Sequence, residues 1–220
     1  MTLPDPSWWP TAQRAYHSAD WVSVERACEI ALHLAPDEPD NLLAAMEPLF
    51  DSRPSDPAGP FLRGILLDRL GRWEQAAGAF AEAARLDLDA AAQPFFRMGL
   101  ALARGGLHAP ALHAFDRALG RNPGHNDARF CAAVSLRRLG RVGDALRLLE
   151  SIPPPHSPQW INNYAEMLLD QGRLDEALPL LTQDESLLRQ HAGLHSSLIR
   201  ARIYDPHAGA RDLFEETGRW

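Results

Sequence analysis

The chain has 220 residues, 45% of them apolar, and a formal charge of −7; that is enough apolar material for a core, but no run approaches a membrane span and the N-terminus lacks a charged-then-apolar leader, so a soluble, cytoplasmic protein is expected. All 22 basic side chains are arginine, which removes phosphate-loop and Schiff-base lysine chemistry and leaves the bidentate guanidinium as the cationic contact. The charge is uneven, −7 over residues 1–57, +5 over 58–147 and −5 over 148–220, and an acidic chain with one mildly basic segment is a poor nucleic-acid binder.

Taken in chain order, the pattern predicts a capping helix over 8–18, with Trp8 and Trp9 either stapling that helix or forming an exposed patch. A degenerate unit over 20–56 follows, pairing 20–35 with a helix within 40–52 (Asn41 to Asp51). Trp21, Cys28, Ala31 and Pro36 imitate the second half of a repeat, which favours the alternative in which 5–36 is itself one. The proline-rich stretch 52–60 reads as the loosest joint. Four regular units then span 57–91, 92–125, 126–157 and 158–190. In the second, Gln93 to Arg104 carries apolar residues on a 3.6 period up to Gly105-Gly106; Pro110 to Gly120 places Ala111, Phe115 and Ala118 on one face, and Pro123 follows. A degenerate terminal unit, 191–220, keeps Leu198, Ala210 and Phe214 near the repeat positions but replaces the turn glycine by residues 204–207.

The four regular units align on Gly71, Gly106, Gly140 and Gly172. Seven residues earlier stands a small residue (Gly64, Gly99, Ala133, Ala165), five later an alanine (Ala76, Ala111, Ala145, Ala177), nine later a large apolar residue (Phe80, Phe115, Leu149, Leu181). A period near 34 residues marks stacked helix pairs. The glycine suits a left-handed residue where the first helix stops, and the small residues let two helices approach closely. With Leu67, Trp73, Ala83, Phe95, Leu102, Ala118, Tyr164 and Leu168 at their positions, the pattern resembles the tetratricopeptide repeat. The resemblance implies an all-α, right-handed superhelical solenoid of antiparallel helix pairs with degenerate terminal repeats. It also implies that the first helix of each pair lines the concave side.

On those first helices, offsets of −10, −6 and −2 from the glycine share one face. They hold Phe61, Ile65 and Arg69; Phe96, Leu100 and Arg104; Phe130, Val134 and Arg138; and Asn162, Glu166 and Asp170. A different face, at −7 and −4, carries the inter-helix core. The first three sets form a phenylalanine, an aliphatic and an arginine ladder, which suits an amphipathic helix with an acidic flank. The competing reading makes the phenylalanines core and the arginines solvated helix-end cations. Asn162 and Asn163 are candidates for hydrogen-bonding a ligand backbone. The lysines of the family's peptide-carboxylate clamp are absent.

No phosphate-loop, dinucleotide, zinc-protease or nucleophile-elbow signature occurs. His191 and His195, four apart near Asp184 and Glu185, lack a third convergent ligand. Cys28 and Cys131 read as small buried apolar residues. No enzyme activity, cofactor or metal is expected. The expected function is a protein–protein interaction scaffold or chaperone-like adaptor that binds an amphipathic helix or extended segment in its concave groove. Two alternatives stand beside it: a substrate-recruitment module of a larger protein-modifying enzyme, such as a protein glycosyltransferase, and self-association through a terminal repeat.

Overall fold

The computed structural model describes residues 8–34, 43–44, 47–48, 54–87 and 92–207. Every regular element among them is an α-helix: α1 (Trp8–His17), α2 (Trp21–Leu34), α3 (Ala58–Arg69), α4 (Trp73–Leu86), α5 (Ala92–Arg104), α6 (His108–Arg121), α7 (Asn126–Arg138), α8 (Val142–Glu150), α9 (Pro158–Asp170), α10 (Leu174–Thr182), α11 (Glu185–Gln190) and α12 (Ala192–Tyr204). The chain forms two compact units, residues 1–128 and 129–220. The side chains of Trp8 and Trp9, most of the helix expected over 41–51, and the positions Ala210 and Phe214 lie outside the described residues; 43–44 and 47–48 are helical.

Four turns are built identically. Gly71, Gly106, Gly140 and Gly172 have φ of 73°, 78°, 77° and 70°, a region where a Cβ is costly. The residue after each glycine donates its N–H to the carbonyl five back, from Arg72 to Leu67, Leu107 to Leu102, Arg141 to Leu136 and Arg173 to Leu168, each at 2.9 Å. The glycine N–H bonds the carbonyl three back. This is the Schellman closure, which satisfies the last carbonyls of the first helix. The carbonyl of that following residue then accepts the N–H of Ala76, Ala111, Ala145 or Ala177, so the next helix starts at once without a side-chain cap.

Packing explains the other recurring offsets. A Cβ added at Gly64 would lie 2.6 Å from the Phe80 ring, and one at Gly99 2.5 Å from the Phe115 ring. Each glycine is therefore the floor on which the partner helix lays its phenylalanine. In the second unit the same two positions hold Ala133 with Leu149 and Ala165 with Leu181, all buried. A methyl has been added on one helix and a ring reduced on the other, which conserves volume.

The N-terminal helices form a fifth hairpin of this kind. Ala19 has φ 55°; Asp20 N–H bonds the Ala15 carbonyl at 2.9 Å, Ala19 N–H that of Tyr16 at 2.9 Å, and Val24 N–H that of Asp20 at 3.1 Å. Ala12, seven before, and Val24 and Cys28, five and nine after, are buried, and burial pushes the Cys28 thiol up to about 12. Thus α1 is the first helix of a repeat-like pair rather than a simple cap, and α2 packs against it. Residues 52 and 53 of the proline-rich stretch lie outside the described residues, and its later part is anchored. Ala58, Gly59 and Pro60 are the buried first turn of α3, and Asp56 receives the Ala58 N–H at 3.0 Å and the Gln13 amide and lies 3.3 Å from His17.

Two predictions follow from these geometries. Gly99→Ala should destabilise by about 1–3 kcal/mol through overpacking, and adding Phe115→Leu should recover part of that loss; additive losses in urea denaturation would contradict the contact. Ala19→Gly should stabilise by about 0.5–1 kcal/mol, because relief of the left-handed Cβ exceeds the added unfolded-state entropy; a lower urea midpoint would contradict it.

Candidate partner-binding face

The face at −10, −6 and −2 has a different fate on each first helix. On α3, Phe61 and Ile65 are buried. The Phe61 ring stands 5.1 Å from Tyr16 of α1 and 5.4 Å from Phe80 of α4, and both α1 and α2 pack on α3. The N-terminal hairpin already occupies the surface that the sequence reading assigned to a partner, so Phe61 and Ile65 are core. Tyr16, itself buried, donates its hydroxyl to Asp87 at 3.2 Å; its phenol is shifted upward by burial and by that carboxylate. Arg69 is exposed and pairs with Glu29 at 2.9 Å.

On α5, Phe96 is also core, 6.2 Å from the Phe115 ring and 4.6 Å from His125. Burial there holds the His125 imidazole below its usual range. Leu100 remains half-buried. Arg104 reaches back to the buried Asp68 of α3 and stands 6.0 Å from the Trp73 ring. The arginine edge expected for an acidic ligand is therefore paired internally at Arg69, with Glu29 of α2, and at Arg104, with Asp68 of α3.

The face stays open on α7. Phe130 and Val134 are half-buried, and Arg138 is exposed with no ion pair among the described residues. One turn of helix separates each from the next, so an apolar strip ends in a solvated guanidinium.

On α9 the face is polar and largely consumed. The Ser197 hydroxyl of α12 lies 2.8 Å from both Asn162 Oδ1 and Glu166 Oε1. Glu166 accepts from Arg137 of α7 and Arg200 of α12, each at 2.9 Å. Asp170 accepts from Arg137 at 2.9 Å and from Arg200 at 2.7 Å. Burial pushes both carboxyls up, but Ser197 and the two guanidiniums outweigh it at Glu166, and Arg200 and Arg137 do so at Asp170, leaving both below the usual carboxylate range. Glu166 is therefore a structural acceptor rather than a partner contact. Sequence reasoning missed Arg137, Ser197 and Arg200; the i, i+4 acid pair on α9 was the available signal, but nothing local says which arginines reach it.

Gln159, Asn162 and Asn163, on the first turns of α9, face Gln190, His191, Ala192 and Gly193 across a cleft. Asn163 Nδ2 donates to the Gln159 carbonyl at 2.9 Å. His191 flanks α12 as its N-cap and His195 is buried; among the described residues no three potential ligands converge on a metal position. Nor is any helix among them long and apolar enough to cross a membrane.

Comparison with known proteins agrees with this construction. Residues 96–159 match the tetratricopeptide repeat family. PilW, a type IV pilus biogenesis factor, is similar in structure with TM-score 0.70, 18% identity, and coverage of 89% of this chain and 91% of its own. MamA from Desulfovibrio magneticus RS-1 is similar at TM-score 0.64 and 15% identity, over 87% and 99%. YrrB, described as a TPR protein with an unusual peptide-binding site, is similar at TM-score 0.62 and 17% identity, over 80% and 90%. No curated protein matches the chain.

Because the folded-state carboxyls of Glu166 and Asp170 lie below their unfolded values of about 4.3 and 3.9, the folded state binds fewer protons in that range. Their contribution is full above those unfolded values and is lost as pH falls through the lowered ones. Urea midpoints between pH 6 and pH 3 should fall less steeply in Glu166→Gln/Asp170→Asn than in the wild type, from a lower starting point. Parallel slopes would show that the network does not carry the acid sensitivity.

Proposed function

We propose that the chain, in which residues 96–159 match the tetratricopeptide repeat family and whose fold is similar to that of PilW, is a non-catalytic interaction module gripping an amphipathic helix of a partner protein. The single observation that carries this reading is the open strip on α7. Phe130 and Val134 are half-exposed where Phe61, Ile65 and Phe96, at the same offsets, are buried. A partner helix that covers Phe130 and Val134 removes apolar surface from water, about 1.5–3 kcal/mol for each side chain fully buried. Arg138 adds a directional contact to an acidic flank, worth about 0–1 kcal/mol at an exposed position. A peptide-binding site in the structurally similar YrrB is consistent with this use of the fold.

Affinity capture on the wild-type protein, with mass spectrometry, should identify the partner, and calorimetry should then give its Kd. Phe130→Ala/Val134→Ala should weaken binding at least tenfold with little change in thermal midpoint, and Arg138→Glu should reduce the salt dependence. Phe61→Ala should instead cost about 3–5 kcal/mol of stability, as a core truncation. An unchanged Kd in the α7 double variant would overturn the assignment.

A further inference from the structure

The last turns of α9 and α12 and the first turn of α10 border a cleft of about 660 Å³, which shares no residue with the α7 strip. Leu169, Leu174 and Tyr204 supply its apolar surface. Gly172 turns the chain between α9 and α10 at its edge, where an added Cβ would meet nothing within 4 Å. Tyr204 is 63% exposed, with Ile203 the most exposed large apolar side chain among the described residues. Neither its ring nor its hydroxyl has a partner among them. The charges around the cleft are matched, with one exception. Arg200 is spent on Glu166 at 2.9 Å and on Asp170 at 2.7 Å. Arg173 pairs with Glu176 at 2.7 Å, and Arg202 with Asp205 at 3.5 Å. The exposed carboxylate of Asp175 has no ion pair or hydrogen bond among the described residues. What remains at the cleft is one uncompensated negative charge and one open aromatic face.

We propose that this cleft takes an arginine side chain of a partner protein, with its guanidinium on the Tyr204 ring, its N–H groups donating to the Asp175 carboxylate and its methylene stem along Leu169 and Leu174. A planar guanidinium stacks on an aromatic face and forks its donors onto a carboxylate, and the two contacts use different surfaces of the same group. An anion would meet Asp170 and Asp175, and a neutral apolar group would strip water from Asp175 without returning a counter-charge. Arg200 does not fill the role itself. Serving Asp175 would break its contacts to Glu166 and Asp170, which tie the last turns of α12 to α9. Those contacts also balance its charge, so it offers little opposition to a second cation. Tyr204 stands one helical turn beyond Arg200, on the same face of α12, and is therefore presented on a turn that is already anchored. An exposed ion pair alone contributes little, so the selectivity for arginine rests on the stacking and on burial of the stem.

The test titrates the whole chain with N-acetyl-arginine amide and follows it by NMR. The Gly172 and Asp175 amide resonances and the Tyr204 ring resonances should shift with one common Kd. Asp175→Asn removes the charge, and Tyr204→Leu keeps an apolar body but removes the aromatic face; both positions are exposed, so both variants should fold with little change in thermal midpoint. Each should weaken binding by about fivefold. The citrulline analogue, of the same shape without the charge, should bind about tenfold more weakly than the arginine probe. The lysine analogue should bind about threefold more weakly, because an ammonium lacks the planar fork. Phe130→Ala/Val134→Ala should bind the probe normally, so failure here is separable from failure at α7. Shifts confined to other residues, a Kd unchanged in Asp175→Asn or Tyr204→Leu, or citrulline or lysine bound as tightly as arginine would overturn the proposal.

Discussion

Everything regular in this protein depends on how closely two helices of a hairpin can approach. That distance is set by one pair of positions, seven before and nine after the turn. Where Gly64 and Gly99 face Phe80 and Phe115, the ring lies so near the opposite backbone that there is no room for a Cβ. Where the first position is Ala133 or Ala165, the second shrinks to leucine. The four turns supply the other half of the constraint: a left-handed glycine closes the helix, and the following carbonyl opens the next one. Turn and contact together fix the direction and depth of each pair.

That local regularity leaves the outward-facing side chains to their neighbours. The face bearing Phe61 and Ile65 is filled by α1 and α2, because a tyrosine from α1 meets the Phe61 ring and completes an apolar cluster with Phe80. Phe96 finds Phe115 and His125. Burial of such groups is worth a few kcal/mol each, far more than an exposed ion pair, so an apolar face within reach of another element does not stay open. On α7, Phe130 and Val134 are only partly buried.

The polar counterpart is the α7–α9–α12 network. Two carboxylates one helical turn apart on α9 are bracketed by Arg137 and Arg200, with Ser197 completing the set. Glu166 is half-buried and Asp170 is exposed, and the guanidinium and hydroxyl donors around them offset the partial loss of water.

The sequence by itself determined the hairpins from α3 to α10, their turns and their packing faces, because glycine geometry, close approach and 3.6 periodicity act over a few residues and repeat. It left two things undetermined locally. Ala19 stands in a turn where the other copies have glycine, so the sequence left two pairings open, 20–35 with 40–52 and 5–36 as a repeat of its own; the φ of Ala19 and the hydrogen bonds around it favour the second. And no residue on the −10, −6, −2 face announces whether it will be covered, since Phe61, Phe96 and Phe130 are alike in sequence yet differ in burial. Exposure is a property of what packs on a face. The tertiary structure alone decided that Phe61, Phe96 and Glu166 belong to the protein's interior contacts, while Phe130 and Val134 stay half-buried and Arg138 is exposed.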